Sequence, residues 1–139
     1  MAVTLVDAGP LVALLDRRDP DHARCQETAA SLPAEPLRTT WPCWTEAMYL
    51  LGKTGGHNYQ DALWALWRSS WVRLHDLTEG ETKRADALMA QYRDTPMDLA
   101  DASLVALAER LDTTRVFSLD TDVLVYRLAD GRAFEVVPV

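Results

Sequence analysis

The chain has 139 residues, with 14 Lys and Arg against 21 Asp and Glu, for a formal charge of −7. That length fits one domain, residues 1–139, with enough material for a real core. Apolar residues make up 48%, which argues against disorder, and the acidity argues against a generally basic nucleic-acid-binding surface. Cys25 and Cys43 form no C-x-x-C pair, so neither a disulfide scaffold nor a zinc site is expected, and a cytoplasmic location is. The apolar run after Asp7 is too short for a membrane span or a signal peptide.

Val3 to Val6 is a short β-branched run, read as a buried first strand that ends at Asp7. Ala8-Gly9-Pro10 predicts a turn and Leu11 to Leu15 a short helix. Asp19-Pro20 predicts a second helix start, an N-cap followed by proline at the first helical position, with the helix running to Leu32. Leu37 to Thr40 reads as a second strand. From Pro42 a helix is expected through Leu51, closed by Gly52, Gly55 and Gly56. Asn58 is the expected cap of the next helix. Trp71 to His75 alternates as a third strand, and Thr78-Glu79-Gly80-Glu81 is a capping-box pattern for a helix reaching Tyr92. Asp98 to Asp101 opens a strongly apolar helix ending near Leu111. A fourth strand at Arg115 to Ser118, a short helix at Val123 to Leu128 and a fifth strand at Ala133 to Val137 complete the chain. Strands alternating with helices predict an α/β three-layer sandwich around a mainly parallel sheet.

In such folds ligands bind at the carboxyl edge of the sheet. Asp7 follows the first strand, and Asp120 and Asp122 follow the fourth. Glu46 lies one turn into the helix after the second strand. Asp98 and Asp101 open the helix that feeds the fourth. If the first and fourth strands are neighbours, these six carboxylates approach one cleft. Crowded like charges require a cation or protonation. Mg²⁺ or Mn²⁺ suits oxygen ligands, whereas His22, His57 and His75 lack zinc spacing. A carboxylate-only site of this kind points to chemistry on phosphate.

The segments Val6-Asp7-Ala8-Gly9-Pro10-Leu11, Thr45-Glu46-Ala47, Met97-Asp98-Leu99-Ala100-Asp101-Ala102 and Phe117-Ser118-Leu119-Asp120-Thr121-Asp122 carry a resemblance. In order and approximate spacing the chain resembles a PIN-domain ribonuclease, specifically a VapC-like toxin of a toxin–antitoxin pair. The resemblance implies a parallel five-stranded sheet of order 3-2-1-4-5. It implies Asp7, Glu46, Asp101 and Asp120 as the catalytic acidic quartet, with Asp98 and Asp122 as further metal-site acids and Ser118 beside the metal. It implies Mg²⁺- or Mn²⁺-dependent hydrolysis of RNA, a VapB-like antitoxin partner covering the cleft, and a homodimer.

Each acid also has a plainer role open to it. Asp98 and Asp101 suit a helix N-terminus, Asp7 a helix cap, Glu46 an ordinary surface position, and Asp120 and Asp122 a turn. Trp64, Trp67 and Trp71, spaced i, i+3 and i+7, stack RNA bases, line an antitoxin groove, or pack in the core or a dimer contact. Trp41 and Trp44 flank Pro42 beside the proposed site, where contact with RNA is open to them. Arg17, Arg18 and Arg24 either hold RNA or solvate a helix face. A receiver-like Mg²⁺-binding signalling module is the rival from another class. It wants a late Lys, and none follows Lys83. A non-cleaving PIN-like scaffold is a third reading, disfavoured by the full set of acids. Setting the six cleft acids aside from the 21 leaves 15 acids against 14 bases, so the bulk acidity is largely the proposed site and does not exclude RNA.

Overall fold

Leu5 and Val116 face one side of a sheet, and their chain neighbours Val6 and Phe117 face the other, as the two-residue period of a strand requires. The computed structural model describes residues 3–138. Its strands are β1 (Leu5–Val6), β2 (Leu37–Thr40), β3 (Val72–His75), β4 (Arg115–Phe117) and β5 (Glu135–Val137). They form one five-stranded sheet in the order β3-β2-β1-β4-β5, with every neighbouring pair parallel. The helices are α1 (Ala8–Leu15), α2 (His22–Ser31), α3 (Trp41–Gly55), α4 (His57–Arg68), α5 (Glu79–Gln91) and α6 (Leu99–Leu111), with a 3-10 turn at Thr121–Leu124. The sandwich and its strand order are as expected.

Each face of the sheet carries its own core. Leu5 and Val116 pack with Ala85 and Leu88 of α5 and with Ala102, Val105 and Ala108 of α6. Val6, Leu37, Val72 and Phe117 pack with Leu11, Cys25, Trp44, Leu51 and Leu63 from α1 to α4. Helix α6 is buried without interruption from Ala100 to Ala108. A helix apolar all round belongs inside, and α6 lies under α5 and α3 as well as against the sheet. Among the described residues no helix is long and apolar enough to cross a membrane.

Several boundaries depart from the sequence reading, each for a local reason. Helix α1 begins at Ala8, because Asp7 Oδ1 accepts the Ala8 amide at 2.8 Å and Pro10 fits within a first turn. Asp19 accepts the Asp21 amide at 2.9 Å instead of capping, which delays α2 to His22. Helix α3 runs through Gly52 and Gly55 and stops only at Gly56, whose φ is 67°. At Gly55 a Cβ would stand 2.3 Å from Cγ of Tyr59, so glycine there admits the close α3–α4 turn. Gly56, in place of Asn58, is the residue before α4. The helix expected over Val123 to Leu128 is instead the 3-10 turn, one residue after Asp120.

Candidate active site

The strand order places the ends of β1 and β4 side by side, with Asp7 following Val6 and Asp120 close behind Phe117. Asp7, Glu46, Asp98, Asp101 and Asp120 line one cleft of about 290 Å³, together with Ala8, Gly9 and Leu119. Five of the six expected acids therefore meet. Asp122 stands on the 3-10 turn beside the cleft, outside its lining; its amide donates to Asp120 Oδ1 at 2.9 Å. Among the described residues none of the six forms an ion pair.

The buried acids are held in specific orientations. Asp7 Oδ2 accepts the buried Ser118 hydroxyl at 3.0 Å, and Ser118 Oγ accepts the Asp120 amide at 3.1 Å. The Cys43 thiol points at Asp7 Oδ1 from 3.8 Å and at the Ala100 carbonyl from 3.6 Å. Burial and the nearby Asp7 charge push that thiol well above its ordinary range, so it stays protonated and able to donate. Asp98 and Asp101 form a reciprocal capping box. Asp98 Oδ1 accepts the Asp101 amide at 2.8 Å, and Asp101 Oδ2 accepts the Asp98 amide at 3.1 Å. The plain capping role is thus realised for both, and for Asp7 at α1, without removing any of them from the cleft.

Burial raises Asp7 above the usual carboxylate range; the Ala8 amide and Ser118 hydroxyl oppose the rise, and Asp120 and Asp98 add to it. Burial also raises Asp101, aided by the charges of Asp98 and Asp7. Exposed Glu46 is raised by partial burial and then by Asp98, Asp7 and Asp120, so it belongs electrically to the same cluster. Among the described residues no three His, Cys, Asp or Glu side chains are already gathered into an enclosing set of metal donors.

Residues 4–130 match the model of the PIN domain family. The chain belongs to the PIN domain family. This PIN domain is 29% identical over 136 residues to ribonuclease VapC26 of Mycobacterium tuberculosis, across 96% of this chain and 99% of that protein. Its fold is shared with the crystal structure of VapC20 of Mycobacterium tuberculosis, a sarcin–ricin-loop cleaving toxin. The two superpose with a TM-score of 0.79 at 22% identity, over 86% of this chain and 91% of that one. It is shared also with VapBC2 of Rickettsia felis bound to a promoter DNA fragment, with a TM-score of 0.65 at 11% identity, over 96% and 98% of the two chains. The order 3-2-1-4-5 also separates this PIN domain from the receiver-like alternative, whose doubly wound sheet has the order 2-1-3-4-5.

One side chain at the site gave no signal in the sequence. Tyr126 is buried, and its hydroxyl donates to Asp101 Oδ2 at 3.4 Å while its ring packs edge-on against Tyr92. A single tyrosine in a short connection, 25 residues after Asp101, has no periodicity to mark it. The tryptophans divide by burial. Trp44 is 2% exposed, which removes it as an RNA contact; it packs edge-on against Trp64. Trp41 stays exposed beside Glu46 and Asp98, in an apolar groove that adjoins the cleft and includes Tyr49 and Leu99. Arg17 and Arg18 are exposed, and Arg24 lies 3.9 Å from Asp21.

Proposed function

We propose that the chain is a metal-dependent endoribonuclease and the toxin of a VapBC-like pair. The observation that carries the reading is the meeting of Asp7, Glu46, Asp98, Asp101 and Asp120 in one cleft without a cationic partner among the described residues. The donor set is all oxygen, and burial, with neighbouring like charges adding to it, raises Asp7 and Glu46 above their ordinary values, a burden that a hard divalent cation relieves. Mg²⁺ keeps several waters and takes only one or two carboxylates, so an open set of acids fits it without a closed cage.

Asp7, Asp101 and Asp120 would hold Mg²⁺ or Mn²⁺, with Glu46 or the accessory acids Asp98 and Asp122 completing the set. When bound, the ion supplies positive charge for the phosphoryl oxygens and makes water more acidic. Ser118 fixes the rotamer of Asp7, and Tyr126 and the capping box fix Asp101. Glu46, exposed on the rim with its affinity for a proton raised, is placed to take the proton of the attacking water. In-line attack on phosphorus leaves 5′-phosphate and 3′-hydroxyl ends and needs no 2′-hydroxyl.

The likeness to a ribonuclease, to a toxin that cleaves the sarcin–ricin loop and to a VapBC complex supports RNA as substrate and a VapB-like antitoxin as partner. A homodimer and a cytoplasmic location belong to the same reading, and two free buried cysteines accord with the latter. The test is cleavage of structured and single-stranded RNAs by the purified chain with Mg²⁺ or Mn²⁺. Cleavage is expected to stop with chelator and in Asp7→Asn and Asp101→Asn. Undiminished cutting by both variants would overturn the assignment.

A further inference from the structure

Arg38 of β2 and Arg73 of β3 are register partners, so with His75 they stand on one face of the sheet at its open edge. They line a groove of about 560 Å³ along edge strand β3, with Arg68 and Trp67 on its wall. No carboxylate is among the described residues that line it, in a chain of net charge −7. Arg68 is held by Asp61 at 3.1 Å, and Arg110, near His75, is held by Glu81 at 2.7 Å. Arg38 and Arg73 form no ion pair among the described residues. Arg38 keeps a buried Nε without a partner, while its Nη1 lies 3.3 Å from His75 Nε2. The exposed guanidinium of Arg73, with no carboxylate partner among the described residues, is complemented by an anion oxygen.

We propose that this groove binds the phosphodiester backbone of single-stranded RNA. That the bound strand is the one cut rests on the ribonuclease reading above; the groove itself does not. Arginine forks match phosphate oxygens, and Trp67, 49% exposed and braced edge-on by Trp64, offers a ring for a base to stack on. An acidic peptide would satisfy the arginines but would leave that ring without a role. The carboxyl end of β3 shares the sheet edge that carries Asp7, two strands away. At ~4.8 Å per strand the lateral step from the His75 end of the groove is about 10 Å, while Trp67 and Arg68 stand at the other end, before β3 begins. The groove thus supplies the positive charge that the acidic cleft lacks, and a strand held there would lead toward the cleft.

The test separates binding from cutting. Anisotropy of a labelled single-stranded RNA is followed across a salt series in chelator, where cleavage is silent, for wild type, Arg73→Gln, Arg73→Glu and Trp67→Ala. Arg73 is exposed, so these variants keep the fold, which melting curves check. Arg73→Gln is expected to weaken binding several-fold and to flatten the salt slope by about 0.7. Arg73→Glu weakens it further, and Trp67→Ala weakens it with the slope unchanged. A folded Arg73→Glu that binds RNA like wild type, a wild type that binds none, or displacement of RNA by polyglutamate at equal charge would each overturn the proposal, the last assigning the groove to an acidic protein. Cleavage with Mn²⁺ is scored separately. Binding without cutting retains the groove and sinks the nuclease, and cutting with unaltered binding by Arg73→Glu does the reverse.

Discussion

Ser118 Oγ stands 3.0 Å from Asp7 Oδ2, 111 residues away in the chain and one strand away in the sheet. The same oxygen accepts the Asp120 amide. One buried hydroxyl therefore converts the β1–β4 adjacency into a fixed relation between two acids. Without it the Asp7 carboxylate would keep the Ala8 amide and the Cys43 thiol on Oδ1 and lose the Ser118 donor on Oδ2.

Ser118→Ala is accordingly expected to lower the cleavage rate by about 10- to 100-fold, the usual effect of removing a group that orients a ligating carboxylate. Stability should fall by about 1–3 kcal/mol. Single-turnover rates at saturating metal, read beside a melting curve, separate the two effects. A loss of stability with unchanged rate would make Ser118 structural alone.

The acids of the cleft should burden the fold. Burial and neighbouring charge raise the folded-state proton affinity of Asp7, Glu46 and Asp101, so their contribution to stability is full below the ordinary carboxylate pKa and is lost as pH rises through the folded value, which for Asp101 is pushed up to about 7. Asp101→Asn can still accept the Asp98 amide and removes the charge. In chelator at pH 8 it should melt a few degrees above wild type, with the gap closing toward pH 4. Mg²⁺ or Mn²⁺ should raise the melting temperature of wild type more than that of the variant. Calorimetry over pH and metal concentration checks both.

Much of this was legible because the signals are local. Strand β2 falls on the four residues read as a strand, Leu37 to Thr40, and Thr78 and Glu81 make the capping box their spacing announced. The acids were legible because every one sits directly after a strand or in the first turns of a helix, positions that composition marks. What stayed hidden depends on tertiary neighbours. Gly52 and Gly55 read as stops, yet both lie within α3, where the close approach of α4 side chains leaves no room for a Cβ. Cys43 offered the sequence no partner, and only the packing of α3 turns its thiol toward Asp7. Tyr126 acquires its partner from the turn after β4, which no repeat in the chain encodes.

Glu81 ties the far side of the sandwich together. It closes the α5 capping box at 2.8 Å from the Thr78 amide, and it holds Arg110 of α6 at 2.7 and 3.0 Å. Although burial opposes it, the Thr78 amide and Arg110 lower its pKa overall. A depressed folded pKa gives stability that is present above the ordinary value and lost as pH falls through the folded one. Glu81→Gln should therefore melt below wild type at pH 7, and the two curves should converge below about pH 4. Melting curves that stay parallel at both pH values would mean that the charge contributes nothing.

Asp98 is where capping and chemistry overlap, and two substitutions separate them. Its Oδ1 accepts the Asp101 amide at 2.8 Å, so Asp98→Ala should cost about 1 kcal/mol, while Asp98→Asn preserves an acceptor and should melt close to wild type. The charge acts elsewhere: it raises Asp7, Glu46 and Asp101 toward their protonated forms, and it lines the cleft with them. Removing it weakens the pull on a divalent cation without disturbing the caps. Asp98→Asn should therefore need more Mn²⁺ to reach half its maximal cleavage rate, with the rate at saturating Mn²⁺ largely restored. A metal titration of cleavage for wild type, Asp98→Asn and Asp98→Ala decides it. Identical titration curves for wild type and Asp98→Asn would leave Asp98 a helix cap and no part of the metal chemistry. A rate that no concentration of Mn²⁺ restores would make its carboxylate a direct ligand.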